Sequence, residues 1–354
     1  MSGKGAGDRV MREGEEYFQK AEDCRKRTEY GKALRYYNRA LAECKRRQDT
    51  SCILDCYLSL GDTLRAQGDF TGARDCYTQG FDLARVLDDR ASEADAVVGM
   101  GLSERALGDW RTALGLIDRA SRLYQAMGDR RGEAFSRWAR AGALRIKGDI
   151  PRALTAFKES LEMFRKLRDR AGVAYSYCGL GGSSRVAGRF NDSRRYYLMA
   201  NRMFTRLGDA FGIAYSYCGL GNAARMHGDY TGALAFFKEA ETLYKKIGDR
   251  VSYAYTLWSV GTTYKMLGSS ERSMKMFRAS AAFFNQTKDP RGALYCILGE
   301  GELAFLRGET ARAGKAFAAA RRDARRLGFK VEERYAEKLI DALKRGRGMP
   351  INLP

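Results

Sequence analysis

Arg65, Arg105, Arg145, Arg185, Arg225 and Lys265 follow one another at intervals of forty residues, and the column ends in Phe305. A guanidinium offers paired donors in one plane and a face that stacks, so such a ladder suits carboxylates or phosphates along an extended ligand. Ten residues upstream of each rung runs a second column, Asp55, Asp95, Phe135, Tyr175, Tyr215, Tyr255 and Tyr295, with Trp138, Cys178, Cys218 and Trp258 three residues further on. A cation near a helix end also complements the helix dipole and snorkels over its neighbours, but Lys would serve that purpose as well. The preference for Arg, together with the aromatic column, favours a binding surface. For the tyrosines, packing between neighbouring helices is the competing reading.

The spacing of forty belongs to the whole chain. Turn signals recur at Gly68-Asp69, Gly108-Asp109, Gly148-Asp149, Gly188-Arg189, Gly228-Asp229, Gly268-Ser269 and Gly308-Glu309, with a degenerate first member at Thr28-Glu29. A second series lies midway, among them Gly128-Asp129, Gly208-Asp209 and Gly248-Asp249. Gly ends a helix in the left-handed conformation, and the Asp after it accepts from the free amides that open the next. Each unit is therefore two helices of roughly four to five turns. In the second helix of each pair, small residues (Ala33, Ala73, Ala113, Ala153, Ser193, Ala233, Ser273, Ala313) precede an aromatic or bulky residue (Tyr37, Tyr77, Ile117, Phe157, Tyr197, Phe237, Phe277, Phe317). In the first helix, Gly61, Gly101, Ala141, Gly181, Gly221, Gly261 and Gly301 leave a matching notch. The block Ala174–Gly181 recurs letter for letter at Ala214–Gly221, either from duplication or from a shared contact surface.

These columns resemble the tetratricopeptide repeat (TPR) family, in units longer than its usual 34 residues and similar to those of the LGN/Pins adaptors. The resemblance implies an all-α, right-handed α-solenoid of about eight helix pairs over residues 10–328, with units turning at 28, 68, 108, 148, 188, 228, 268 and 308. A flexible start (1–9), a capping helix (329–347) and an apolar tail (348–354) complete the division. It also implies that the first helix of each pair lines a concave groove. The expected peptide-binding residues are Arg65, Arg105, Phe135, Trp138, Arg145, Tyr175, Cys178, Arg185, Tyr215, Cys218, Asn222, Arg225, Tyr255, Trp258 and Lys265. The Asn that follows the notch glycine in LGN-type repeats survives only as Asn222; Asp62, Leu102, Gly142, Gly182, Thr262 and Glu302 replace it elsewhere.

The expected function is a noncatalytic scaffold that holds an extended, acidic protein segment. A net charge of +20 attracts anionic partners of several kinds, so RNA or another nucleic acid is the second reading, though many Asp and Glu interrupt any continuous basic strip. A regulatory sensor arm is a third. No phosphate loop, HExxH or nucleophile beside a His base occurs, and the single His227 adjoins a turn. No catalytic residue, cofactor or metal site is expected. The 8 Cys lack a CxxC pair and are expected to be reduced packing residues. Without an apolar leader or spanning segment, the expected location is cytoplasmic. The tail Met349-Pro-Ile-Asn-Leu-Pro could dock on a partner or on the array itself; partner identity and oligomeric state are not legible.

Overall fold

Turn chemistry sets the architecture. In a computed structural model that describes residues 4–346, 348–350 and 352–353, Gly68 takes φ 86° to close one helix, and the Asp69 carboxylate opens the next by accepting from Gly72 N at 2.9 Å. Turns of this kind, some with another residue at positive φ and some without the side-chain cap, separate seventeen helices, and no strand occurs among the described residues. In chain order they are α1 (Lys4–Lys26), α2 (Tyr30–Arg46), α3 (Thr50–Gln67), α4 (Phe70–Val86), α5 (Arg90–Ala106), α6 (Trp110–Met127), α7 (Arg130–Lys147), α8 (Ile150–Lys166) and α9 (Arg170–Val186). There follow α10 (Phe190–Leu207), α11 (Ala210–Met226), α12 (Tyr230–Ile247), α13 (Arg250–Met266), α14 (Ser270–Gln286), α15 (Pro290–Leu306), α16 (Thr310–Leu327) and α17 (Lys330–Arg345). Consecutive helices pack against each other from α1 to α5, from α8 to α11 and from α13 to α17, and some odd-numbered helices also touch, α3 with α5, α9 with α11, α11 with α13 and α13 with α15. This is a TPR-type α-solenoid of helix pairs. No helix among the described residues is long and apolar enough to cross a membrane.

The chain forms two compact units. One takes the chain up to Leu107 with Arg111–Ser136 and Ile247–Asp249; the other takes Gly108–Trp110, Arg137–Lys246 and the chain from Arg250 onward.

Within the second unit, the packing accounts for most of the repeated eight-residue block. Tyr197 of α10 is buried with its ring between two glycines: a Cβ on Gly181 of α9 would stand 2.9 Å from the ring, and one on Gly219 of α11 only 2.2 Å from it. Phe277 sits in the same way between Gly261 and Gly299, and Phe157 and Phe237 rest on Gly179 and Gly221 of the two blocks, which is why the block carries glycine twice. Its serines bond back one turn, Ser176 Oγ to Gly172 O at 2.8 Å and Ser216 Oγ to Gly212 O at 2.9 Å. Its second tyrosines stack, Tyr177 on Tyr196 and Tyr217 on Phe236, with ring centres 6.0 and 6.2 Å apart. At the end of this unit α17 packs on α16 and buries Tyr335, Ala336, Leu339 and Ala342.

One expectation is corrected. Cys44 and Cys52 form a disulfide, with Cα atoms 5.8 Å apart, rather than remaining reduced. Cys44 ends α2 and Cys52 begins α3, so the turn between those helices brings together two residues whose spacing matches no familiar cysteine motif. Cys24, Cys56, Cys76, Cys178, Cys218 and Cys296 are free thiols.

Candidate functional site

Arg65, the first rung of the ladder, and Arg25, forty residues before it, carry their own counter-ions. On α1, Arg25 Nη2 lies 2.7 Å from Glu22, and the Tyr37 hydroxyl of α2 accepts from Arg25 Nε at 3.2 Å while donating to Glu22. On α3 the arrangement repeats: Tyr77 Oη donates to Asp62 Oδ1 at 2.7 Å, and Arg65 lies 3.4 Å from the Tyr77 hydroxyl and 3.6 Å from Asp62. The motif is an acid, an Arg three residues later, and a Tyr on the next helix. It requires both partners, because a half-buried guanidinium that loses its carboxylate keeps its desolvation cost.

That acid is absent from the middle of the chain, where Leu102, Gly142, Gly182 and Asn222 take its place. In the second unit, Arg145 and Arg185 are half-buried and Arg225 is wholly buried. None of the three makes an ion pair among the described residues, and the Nε of each is buried without a hydrogen-bond partner. Arg145 lies in the slot that Gly182 leaves on the neighbouring first helix, where a Cβ would stand 2.3 Å from Nη1. Burial lowers the Arg145 pKa, but the Tyr215 and Tyr197 hydroxyls outweigh it, so the net shift is upward.

At Arg225 the balance reverses. Burial, reinforced by the charge of Arg185, pushes its pKa down to about 9 against the pull of Tyr335 and Glu302. Its hydrogen bonds go to neutral oxygens: Asn222 Oδ1 at 3.1 Å, the Leu353 carbonyl at 3.0 Å, and the Asn352 side-chain oxygen. Its guanidinium stands 5.8 Å from the centre of the Trp258 ring. Beside it the fully buried Lys265 pairs with Glu302, whose carboxylate also accepts from Tyr335 Oη at 2.5 Å. The Tyr335 hydroxyl meets the Pro350 carbonyl as well. The apolar tail therefore docks on the array, and Leu353 is buried there.

The aromatic column makes bonds internal to the protein. Tyr175 Oη donates to Asp209 Oδ2 at 2.7 Å, and the other oxygen of that carboxylate caps α11 through Gly212 N at 2.9 Å. Tyr295 Oη donates to Glu332 at 3.1 Å, the carboxylate that also holds Arg291 at 2.7 Å. The Tyr175 and Tyr255 rings each pack edge-on against a phenylalanine, Phe204 and Phe284, both at 4.7 Å. Trp138 and Trp258 play equivalent parts three units apart, each donating Nε1–H to a carbonyl of the next first helix, Tyr175 O at 3.2 Å and Tyr295 O at 2.9 Å. Cys178 is buried, which raises its thiol pKa; Cys218 is half-buried and accepts from Thr256 Oγ1 at 3.5 Å. Phe135 and Arg105 are half-buried in the first unit, as is Arg65. His227 is exposed, with Phe190 edge-on 6.2 Å away.

Of the expected site residues, the second unit thus brings together Arg185, Asn222, Arg225, Trp258 and Lys265. The column gave no place to Glu302, Tyr335, Asn352 or Leu353. A signal for Glu302 existed, since the position three before each rung is acidic at both ends of the array and not in between.

A tetratricopeptide repeat model matches residues 16–85, 92–166 and 172–246. No curated protein matches the chain. Among solved structures, a Rap protein complexed with competence and sporulation factor is similar over 96% of this chain and 98% of its own, at TM-score 0.61 and 12% identity. NprR in complex with its cognate peptide NprX is similar over 94% and 99%, at TM-score 0.58 and 16% identity. Aspartyl phosphate phosphatase F from Bacillus subtilis is similar over 81% and 74%, at TM-score 0.58 and 12% identity. At these identities the likeness is one of fold.

Proposed function

Because the chain belongs to the tetratricopeptide repeat family, we propose that it is a noncatalytic protein-binding adaptor or peptide sensor, whose second unit holds an extended acidic segment against Arg145 and Arg185. One observation carries this reading: the acid that neutralises Arg25 and Arg65 within their own helices is missing at Arg145, Arg185 and Arg225. A partner carboxylate would supply it, and a guanidinium already held in a slot loses little freedom on pairing. The solved NprR complex, with a peptide on a similar fold, supports the same reading. Tyr175 and Tyr255 act in it as positioning residues, since their rings and hydroxyls brace the helices that present the arginines. In this reading the protein acts in the cytoplasm and its partner segment is acidic.

The test is an array of decapeptides graded in Asp and Glu content, probed with the full chain and with Arg145→Glu/Arg185→Glu. Capture that grows with acidity and falls at least tenfold in the variant supports the proposal, provided Arg65→Gln, whose rung has its own acid, leaves capture unchanged. Equal capture by the wild type and the charge-reversed chain refutes it. Binding of single-stranded RNA in preference to every acidic peptide would favour the nucleic-acid reading instead.

A further inference from the structure

The Arg225 pocket has an occupant, and the occupant belongs to the chain itself. Three consecutive described elements of the tail make polar contacts there: the Pro350 carbonyl with Tyr335, the Asn352 side chain with Arg225, and the Leu353 carbonyl with Arg225. Leu353, at 2% exposure, is more deeply buried than most residues of the helices it lies against. The pocket wall is built from four helices, with Asn222 and Arg225 on α11, Trp258 and Lys265 on α13, Glu302 on α15 and Tyr335 on α17. Two buried cations face one buried carboxylate within it. The tail atoms described at the pocket are neutral oxygens, so among the described residues Arg225 is a buried cation with no ion pair of its own, an arrangement that costs stability unless something else uses it.

We propose that the Arg225–Trp258–Tyr335 pocket is a docking site for a short extended peptide that presents an Asx side chain and main-chain carbonyls, and that the tail, through Pro350, Asn352 and Leu353, is its resident, displaceable occupant. The inference rests on the peptide-binding reading above and adds its regulation: a partner segment bearing Asp where the tail has Asn352 brings the missing carboxylate to Arg225 and evicts the tail. A tethered occupant competes at an effective concentration on the order of millimolar, so it suppresses weak ligands and yields to charged ones.

The probe is a fluorescein-labelled, C-terminally amidated peptide of sequence Gly-Met-Pro-Ile-Asn-Leu-Pro and its Asp-for-Asn analogue, titrated into the full wild-type chain and into Asn352→Ala/Leu353→Lys, which ejects the resident tail by setting a second cation against Arg225. The Asn peptide is expected to bind the ejected-tail variant at least tenfold more tightly than wild type. The Asp analogue is expected to bind both more tightly than the Asn peptide, and adding Arg225→Gln is expected to remove the preference for Asp. Equal affinity of the Asn peptide for the two proteins, or no binding to the ejected-tail variant, overturns the inference. Should the double variant lose its helical circular dichroism, Asn352→Ala alone carries the same comparison, with fluorescence of Trp258 in a Trp110→Phe/Trp138→Phe background reporting departure of the tail. The amidated Asn peptide has neither an acidic side chain nor a terminal carboxylate, so its behaviour judges the occupant claim, whereas the Arg145→Glu/Arg185→Glu comparison judges the acidic-partner reading; either can fail alone.

Discussion

Replacing Gly219 by Ala should destabilise the second unit, although Ala is the better helix former. In an exposed helix interior the exchange stabilises by roughly 1 kcal/mol. At Gly219 the new methyl would stand 2.2 Å from the Tyr197 ring, against roughly 3.5–4.0 Å for a relaxed carbon contact. The ring cannot retreat, because the Gly181 notch holds its other face at 2.9 Å from a notional Cβ, and Tyr197 is almost fully buried. Overpacking of this kind costs about 1–3 kcal/mol and occasionally more, and the 2.2 Å approach puts Gly219 toward the upper end, so after the propensity gain of about 1 kcal/mol a net loss of about 1–2 kcal/mol is expected. For a unit of this size that corresponds to a fall in Tm of about 2–8 °C. Gly115 on α6 is the control: nothing lies within 4 Å of its notional Cβ, and Gly115→Ala should raise stability by up to about 1 kcal/mol. Urea denaturation followed by circular dichroism measures both. A third variant, Gly219→Ala with Tyr197→Leu, should recover part of the loss relative to Tyr197→Leu alone. If Gly219→Ala melts at or above wild type, the double-notch explanation of the repeated block is wrong.

Other perturbations test separate parts of the account. Glu302→Gln leaves the fully buried Lys265 without its counter-ion and should cost about 3–5 kcal/mol in urea denaturation, while Lys265→Met/Glu302→Leu should restore most of it. Arg168 is exposed and holds φ 56°, a conformation that costs a non-glycine residue roughly 1–2 kcal/mol; Arg168→Gly should therefore stabilise by about 0.5–1 kcal/mol after glycine's own entropic cost. Alkylation of the unfolded, unreduced chain should add six groups by mass spectrometry and eight after reduction; eight without reduction would contradict the Cys44–Cys52 bond. That bond closes a short loop, and its reduction should lower stability by about 2–3 kcal/mol.

The helices and their pairing were legible because left-handed closure followed by an N-cap leaves Gly-Asp in the sequence, and because a close helix crossing demands small residues at fixed intervals. The period even marks the turns where glycine is missing: Thr28, Gln48, Asp88, Arg168 and Lys288 all take positive φ in its place. The bonds of the tyrosines were not legible, since the Tyr175 partner, Asp209, lies in the next unit and already has an evident role as a cap. Nor was the burial of Arg225. A repeat column treats its rungs as equals, whereas the tail covers this rung and leaves Arg145 and Arg185 half-buried. The tail itself breaks the period, so no column assigned it a neighbour. Cys44 and Cys52 escaped because a turn between helices brings them together rather than a motif.

The central claim is that unneutralised arginines of the middle repeats capture an acidic segment. It is tested most directly by fluorescence anisotropy of a labelled Glu- and Asp-rich decapeptide titrated with the full chain and with Arg145→Glu/Arg185→Glu, at two salt concentrations. The expected result is saturable binding by the wild type that weakens as salt rises and falls at least tenfold in the charge-reversed chain, with circular dichroism unchanged between the two proteins. Binding of equal strength to both proteins, or none to either, would contradict it.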